Sequence, residues 1–300
     1  MKNTIIIRFL KLGIITLILG CVTTAQAQRA SIPAQVFLNQ YLSNAALAGA
    51  DSSLNINLSY NRQYDDFIGA PVVSLISADY LVGKRVGLGL NVMNQKAGLL
   101  NQTRVALSYA YHLPVGADGQ TLHFGISAAV ENNSLPIEDV DGDQNDPSLT
   151  NYNSRGAYMD GDFGLAYTGK GLSIQAAVPT MRSYLIKDEY GSVNRATFYT
   201  SASYKIGLGE EVNSIEPKVC YTTVKGNEDL WDFGLDFKCA NNLANIQAIY
   251  HSTQSFTVGL GVDVLSRVKV LAFYTSETKA LKSYTDGNLS LNLKIALFKH

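Results

Sequence analysis

Residues 85–93 read RVGLGLNVM, and the alternation in that stretch decides the fold. Val86, Leu88, Leu90 and Val92 fall on one side of an extended chain, and Gly87, Gly89 and Asn91 on the other. One apolar face is ordinary for a strand, because that face packs on a core. Here the pattern returns along the whole chain, always as lone strands, with no helical periodicity between them to cover the apolar side.

The repeats run through LNINLSY (54–60), VSLISADY (73–80), RVALSYAY (104–111), LHFGISAAV (122–130), FGLAY (163–167), LSIQAAV (172–178) and TFYTSASYKI (197–206). They continue through IEPKVCY (215–221), WDFGLDFK (231–238), IQAIYH (246–251), FTVGLGVDV (256–264), VKVLAFY (268–274) and LSLNLKIAL (289–297). With 85–93 that makes about fourteen strands, each about long enough to cross ~25–30 Å of hydrocarbon when tilted. TDGN (285–288) and KGNED (225–229) carry the punctuation of hairpin turns.

Composition agrees. Only 16% of the 300 residues are charged, against about a quarter in a soluble domain, while tyrosine reaches 17 and glycine 25. Mean hydropathy is near neutral, too low for a bundle of membrane helices. A transmembrane barrel hides its hydrophobicity by alternation. The net charge of -1 and the absence of a basic patch argue against a nucleic-acid partner. Trp231, Phe233, Leu235 and Phe237 oppose Asp232, Gly234, Asp236 and Lys238; Tyr-rich strand ends suit aromatic girdles at lipid interfaces. Open sheet edges in lipid would strand backbone amides, so the sheet must close. The expected fold is an all-β transmembrane antiparallel barrel of about 14 strands, residues 51–300, with lipid on its apolar side.

The N-terminus supplies an address. Lys2, Arg8 and Lys11 precede an apolar run, Leu12 to Gly20, and Ala25 and Ala27 place a cleavage site before Gln28. ILGC (18–21) resembles a lipoprotein box, but the small-x-small site behind it favours ordinary signal-peptide cleavage of residues 1–27. Either route exports the chain, and the expected destination is the cell outer membrane. Residues 28–50 then carry Val36, Phe37, Tyr41, Leu42 and Leu47 at roughly helical spacing. This segment is expected to cap the periplasmic end as a short helix, or to plug the lumen.

FLNQYLSNAALAG (37–49), YNRQYDDFIGAP (60–71), KRVGLGLNVMNQKAGLLN (84–101) and DFGLAYTGKGLSIQAAVPTM (162–181) together resemble the PorP/SprF family of outer-membrane proteins associated with type IX secretion. SNAALAG lacks the family's usual Asn-Pro, and Tyr64 stands where tryptophan is common. The resemblance implies a non-enzymatic role in secretion and gliding-type surface attachment, binding the C-terminal domain of a secreted adhesin or a periplasmic component of the machinery. The competing function is a general channel for small solutes.

Chemistry-bearing residues are few. EDVDGDQND (138–146) offers Asp139, Asp141, Asp143 and Asp146 as a calcium candidate, but the EF-hand spacing is missing and a solvated acidic loop reads better. No other cofactor is expected. His112, His123, His251 and His300 have no second ligand at metal spacing. His251 and Ser252 point to opposite faces of a strand, so they form no nucleophile–base pair, and His251 reads as a lumen histidine with a structural hydrogen bond. Cys220 and Cys239 fall on opposite faces and are expected to be free thiols. The lumen face carries Arg104, Glu216, Lys218, Asp232, Asp236, Lys238, Asp263, Arg267 and Lys269. A barrel this wide is not filled by glycine, alanine and serine, so water, a loop or the N-terminal segment must occupy it.

Overall fold

The computed structural model describes residues 36–63, 69–116, 119–140, 152–153, 156–185, 196–209, 212–224, 228–239, 243–264, 267–277 and 287–298. The export segment 1–27, and Asp141, Asp143 and Asp146 of the acidic loop, lie outside the described residues.

Fifteen strands form one antiparallel sheet, and pairing of β1 (Leu54–Gln63) with β15 (Asn288–Leu297) and of β10 (Val212–Val224) with β11 (Leu230–Cys239) closes it into a ring. The two-residue β9 (Ile206–Gly207) continues β8 (Ala196–Tyr204) as one interrupted stave, so the wall has the fourteen staves expected. The other strands are β2 (Val72–Val82), β3 (Val86–Ala97), β4 (Leu100–Pro114), β5 (Thr121–Ser134), β6 (Ala157–Gly169) and β7 (Leu172–Val178). They continue with β12 (Ala244–His251), β13 (Phe256–Val264) and β14 (Val268–Thr275). Each pairs with its chain neighbours, the simplest route to closure.

The faces are inverted relative to a soluble protein. Leu107 is 64% exposed while its neighbour Ser108 is 6% exposed; Lys218 and Asp236 are buried at 2% and 3% while Phe233 and Leu260 face outward. A period of two fixes this everywhere, because a one-residue slip would turn every lumen charge into lipid. Such a slip costs about 2–4 kcal/mol for each Lys or Arg at the bilayer midplane.

The barrel has a short-turn end and a long-loop end. Connections 83–85, 170–171, 240–243 and 265–267 lie at the first, and 135–156, 179–195 and 276–287 at the second. Short turns mark the periplasmic side of such barrels and long loops the outside.

Candidate functional site

The site is the lumen, and residues 36–50 run through it. They form two short 3-10 turns, Gln40–Leu42 and Ala45–Leu47, rather than an amphipathic α-helix. Asn44 explains the second: its side chain accepts from Ala46 N (3.0 Å), an Asx cap that favours a tight turn.

The segment is anchored at every level of the barrel. Val36 joins a buried cluster with Ala177, Tyr199, Cys220 and Ile249, and Leu38 one with Leu271 and Phe273. Lys218 Nζ donates to the Val36 carbonyl (2.7 Å) and lies 5.5 Å from the Phe37 ring centre. Asn39 donates to Ser77 (2.8 Å), Gln175 to Gln40, and Asn44 to the Leu165 carbonyl (2.9 Å). Tyr41 shares a hydrogen bond with Ser108 (2.8 Å). Nearest the short turns, Gly49 N donates to Asp79 Oδ2 (3.0 Å).

Two inward histidines close that end. His112 and His123 sit directly opposite one another in β4 and β5, with their Nδ1 atoms 2.7 Å apart. The Ala48 carbonyl, 3.0 Å from His112 Nε2, can only accept, so that nitrogen carries a proton. With both rings neutral, His112 Nδ1 then accepts from His123 Nδ1, and His123 Nε2 accepts from Thr168 (2.8 Å).

Inward glycines make the room. A Cβ on Gly87 would strike the Ala48 carbonyl, one on Gly89 the Tyr41 ring, and one on Gly125 the Ala45–Ala46 backbone. At Gly164 it would meet Asn44, and at Gly234 the Phe37 ring. Glycine is too small to fill the lumen, as the sequence implied, and here these positions are the seat of residues 37–48.

Four Lys and Arg side chains among the described residues are in ion pairs. Arg104 pairs with Asp162 (2.6 Å), Lys269 with Asp263 (3.2 Å), Lys238 with Asp236 (3.9 Å) and Lys294 with Asp51 (3.7 Å). The gap between the segment and the wall beside Arg104 and Asp162 holds about 40 Å³, far below the ~300–1,000 Å³ of ligand pockets.

His251 does make structural hydrogen bonds, in an array that sequence did not reveal. Its Nδ1 donates to Asp232 (2.6 Å), its Nε2 lies 2.8 Å from Thr257 Oγ1, and Thr257 lies 2.7 Å from Thr275 Oγ1. Asp232 is directly opposite His251, and Thr257 comes from the next strand across the 252–255 turn. The order carboxylate, imidazole, hydroxyl matches a nucleophile triad. Thr257 is 1% exposed, however, so no substrate carbonyl reaches its oxygen. Ser252 instead accepts from Trp231 N (3.0 Å), away from the imidazole.

Asp139 ends a 3-10 turn, Ile137–Asp139. Among the described residues no group of three or more His, Cys, Asp or Glu is placed to hold a metal ion. Cys220 and Cys239 are free thiols, the first buried in the lumen.

The model of the family described as type IX secretion system membrane protein PorP/SprF matches residues 25–295. A search of curated protein sequences finds no match. Among solved structures, the chain is similar to the outer membrane protein Omp33 of Acinetobacter baumannii, at 8% identity and a TM-score of 0.48, over 82% of this chain and 99% of that one. It is also similar to outer membrane phospholipase A of Escherichia coli (10% identity, TM-score 0.37, covering 90% and 98%). A third is KdgM porin (10%, 0.36, covering 81% and 98%). With nearly the whole chain matched and the closed, lipid-facing barrel in place, the protein belongs to the PorP/SprF family of type IX secretion outer-membrane proteins.

Proposed function

We propose that the protein is a closed, non-enzymatic anchor of type IX secretion that holds another protein rather than passing solutes. Its partner is the C-terminal domain of a secreted adhesin, or a periplasmic component of the machinery. The observation that carries this reading is the passage of residues 36–50 through the lumen, seated on inward glycines and hydrogen-bonded from Lys218 to Asp79. A solute channel needs a water-filled path past that segment. An anchor needs only a rigid wall and free ends, and the long connections 135–156, 179–195 and 276–287 supply surface for a partner at one end.

The test pairs two measurements on the tagged protein from its native outer membrane. Mild detergent extraction with mass spectrometry is expected to recover a secreted adhesin or a secretion component in near-equal amount. Planar bilayers containing the purified barrel are expected to stay silent. A barrel that purifies alone and conducts steadily would replace the anchor by the channel.

A further inference from the structure

At the short-turn end the lumen segment is held by His112 at the Ala48 carbonyl and by Asp79 at Gly49 N. The first hold is built from a pair. His112 is 6% exposed and His123 3%, and their rings meet edge to face with centroids 4.8 Å apart. Gly87 leaves the space: a Cβ there would lie 2.8 Å from His112 Nε2 and strike the Ala48 carbonyl.

The geometry limits how many protons this pair can carry. His112 Nε2 has one, because the Ala48 carbonyl only accepts. The 2.7 Å gap between the two Nδ1 atoms holds another, on His123. A further proton fits on His123 Nε2, since the Thr168 hydroxyl can turn from donor to acceptor. One more has no place. It would set N–H against N–H across the Nδ1 gap and put a second positive charge beside the first, so the rings must part before both are protonated. Parting them moves His112, whose other nitrogen holds Ala48.

Among the described residues, no counter-charge faces the pair. β3 meets it with Gly87, β6 with Ala166 and Thr168, and the segment with Ala48. Arg104, further along β4, pairs with Asp162 of β6, and Glu131, further along β5, accepts from Tyr158. Arg85 donates to Tyr111 (3.3 Å), and Lys170 is exposed beyond Thr168. Asp79 accepts from Gly49 N and Asn55. Asp118, in the connection between β4 and β5, lies outside the described residues.

We propose that His112 and His123 form an acid-sensitive latch, whose double protonation releases Ala48 and frees the periplasmic end of the lumen segment. The freed state binds one or two protons more than the latched state, so falling pH favours release. The effect is absent above the ordinary histidine range near 6.5, and below it the freed fraction rises ~10–100-fold per pH unit. The latch rests on the reading that residues 36–50 close the lumen.

Ala110→Cys in a Cys220→Ser, Cys239→Ser background reports the release, because Ala110 is fully covered and shares a buried cluster with Tyr41 and Ala48. Its labelling by 4,4′-dithiodipyridine, a disulfide that attacks thiols in acid, is measured on the full chain in detergent micelles at pH 7.5 and 4.5. Rates are taken relative to the same thiol in the unfolded chain, and heat-modifiable gel migration reads the folded barrel in every variant. Labelling is expected to be at least ~100-fold faster at pH 4.5. His123→Gln is expected to hold that difference below ~tenfold, since glutamine does not titrate and can donate to or accept from His112 Nδ1. Asp79→Asn and Asp118→Asn are expected to keep the full acceleration. Slow labelling at both pH values, equal acceleration in His123→Gln, or acceleration lost in either aspartate variant would overturn the latch. Fast labelling already at pH 7.5 would overturn the closed lumen on which it rests.

Discussion

Gly234→Leu puts the seating of the lumen segment under direct strain. A Cβ at position 234 would lie 2.6 Å from the Phe37 ring, so a leucine requires Phe37 to leave its place. Phe37 is covalently next to Val36, which shares one buried cluster with Cys220. Overpacking of this kind costs ~1–3 kcal/mol, and every 1.4 kcal/mol is a factor of ten. The fraction of molecules with residues 36–37 displaced from the cluster around Cys220 should thus rise by ~5–150-fold. Cys220 itself is the reporter: in a Cys239→Ser background, its alkylation by a small charged methanethiosulfonate should accelerate by that factor. Gly207→Ala, where nothing lies within 4 Å, should leave the rate unchanged. Fast labelling already in the wild type would refute the seated segment. Unchanged slow labelling in Gly234→Leu would refute the claim that the glycine makes its room.

Three shorter tests bear on other parts of the molecule. Leu107→Arg, on a residue 64% exposed to lipid, should destabilise the barrel by about 2–4 kcal/mol in denaturant unfolding from lipid vesicles, whereas a soluble-type surface would tolerate it. Thr257→Ala removes the hydroxyl between His251 and Thr275 and should cost ~1–3 kcal/mol of stability. Ester and phospholipid hydrolysis should stay at the uncatalysed rate in variant and wild type alike, and turnover lost in Thr257→Ala would make the array catalytic. Alkylation after unfolding without reductant should modify both Cys220 and Cys239, and a resistant pair would mean a disulfide that the opposite faces of their strands forbid.

The wall was legible because its signal is local. Alternation such as Val86, Leu88, Leu90 against Gly87, Gly89 names both the strand and the face, and the fourteen stretches read this way correspond to the fourteen staves. What escaped is non-local. Gly87, Gly89, Gly125, Gly164 and Gly234 lie on four strands far apart in sequence, and only closure of the ring brings them around residues 37–48. The helical spacing of Val36, Phe37 and Tyr41 suggested a helix because spacing reports a face, whereas here the side chains radiate from a turn-rich chain surrounded by wall. The Asp232–His251–Thr257 array was hidden for the same reason. Its members come from β11, β12 and β13, and register, not spacing, aligns them.

The tether decides how firmly the lumen is closed. Seven of the polar contacts that hold the segment join Lys218 with Val36, Ser77 with Asn39, Gln175 with Gln40, Ser108 with Tyr41, Leu165 with Asn44, His112 with Ala48 and Asp79 with Gly49. At ~0.5–1.5 kcal/mol each they contribute about 4–10 kcal/mol. The buried side chains Val36, Leu38, Tyr41 and Leu47 add ~1.5–3 kcal/mol apiece. For a separate peptide, most of this would be consumed by the ~4–15 kcal/mol cost of association. Residues 50–53 remove that cost, because they join the segment to β1 and hold it at millimolar effective concentration or above. A protease site inserted within 50–53 turns this into an experiment. Cleavage of the folded barrel followed by dilution should release the segment, expose Cys220 to alkylation and open a conductance where the intact protein is silent. A segment that stays bound after cleavage at nanomolar protein would mean that the contacts alone close the lumen, and that the short connection matters only for folding.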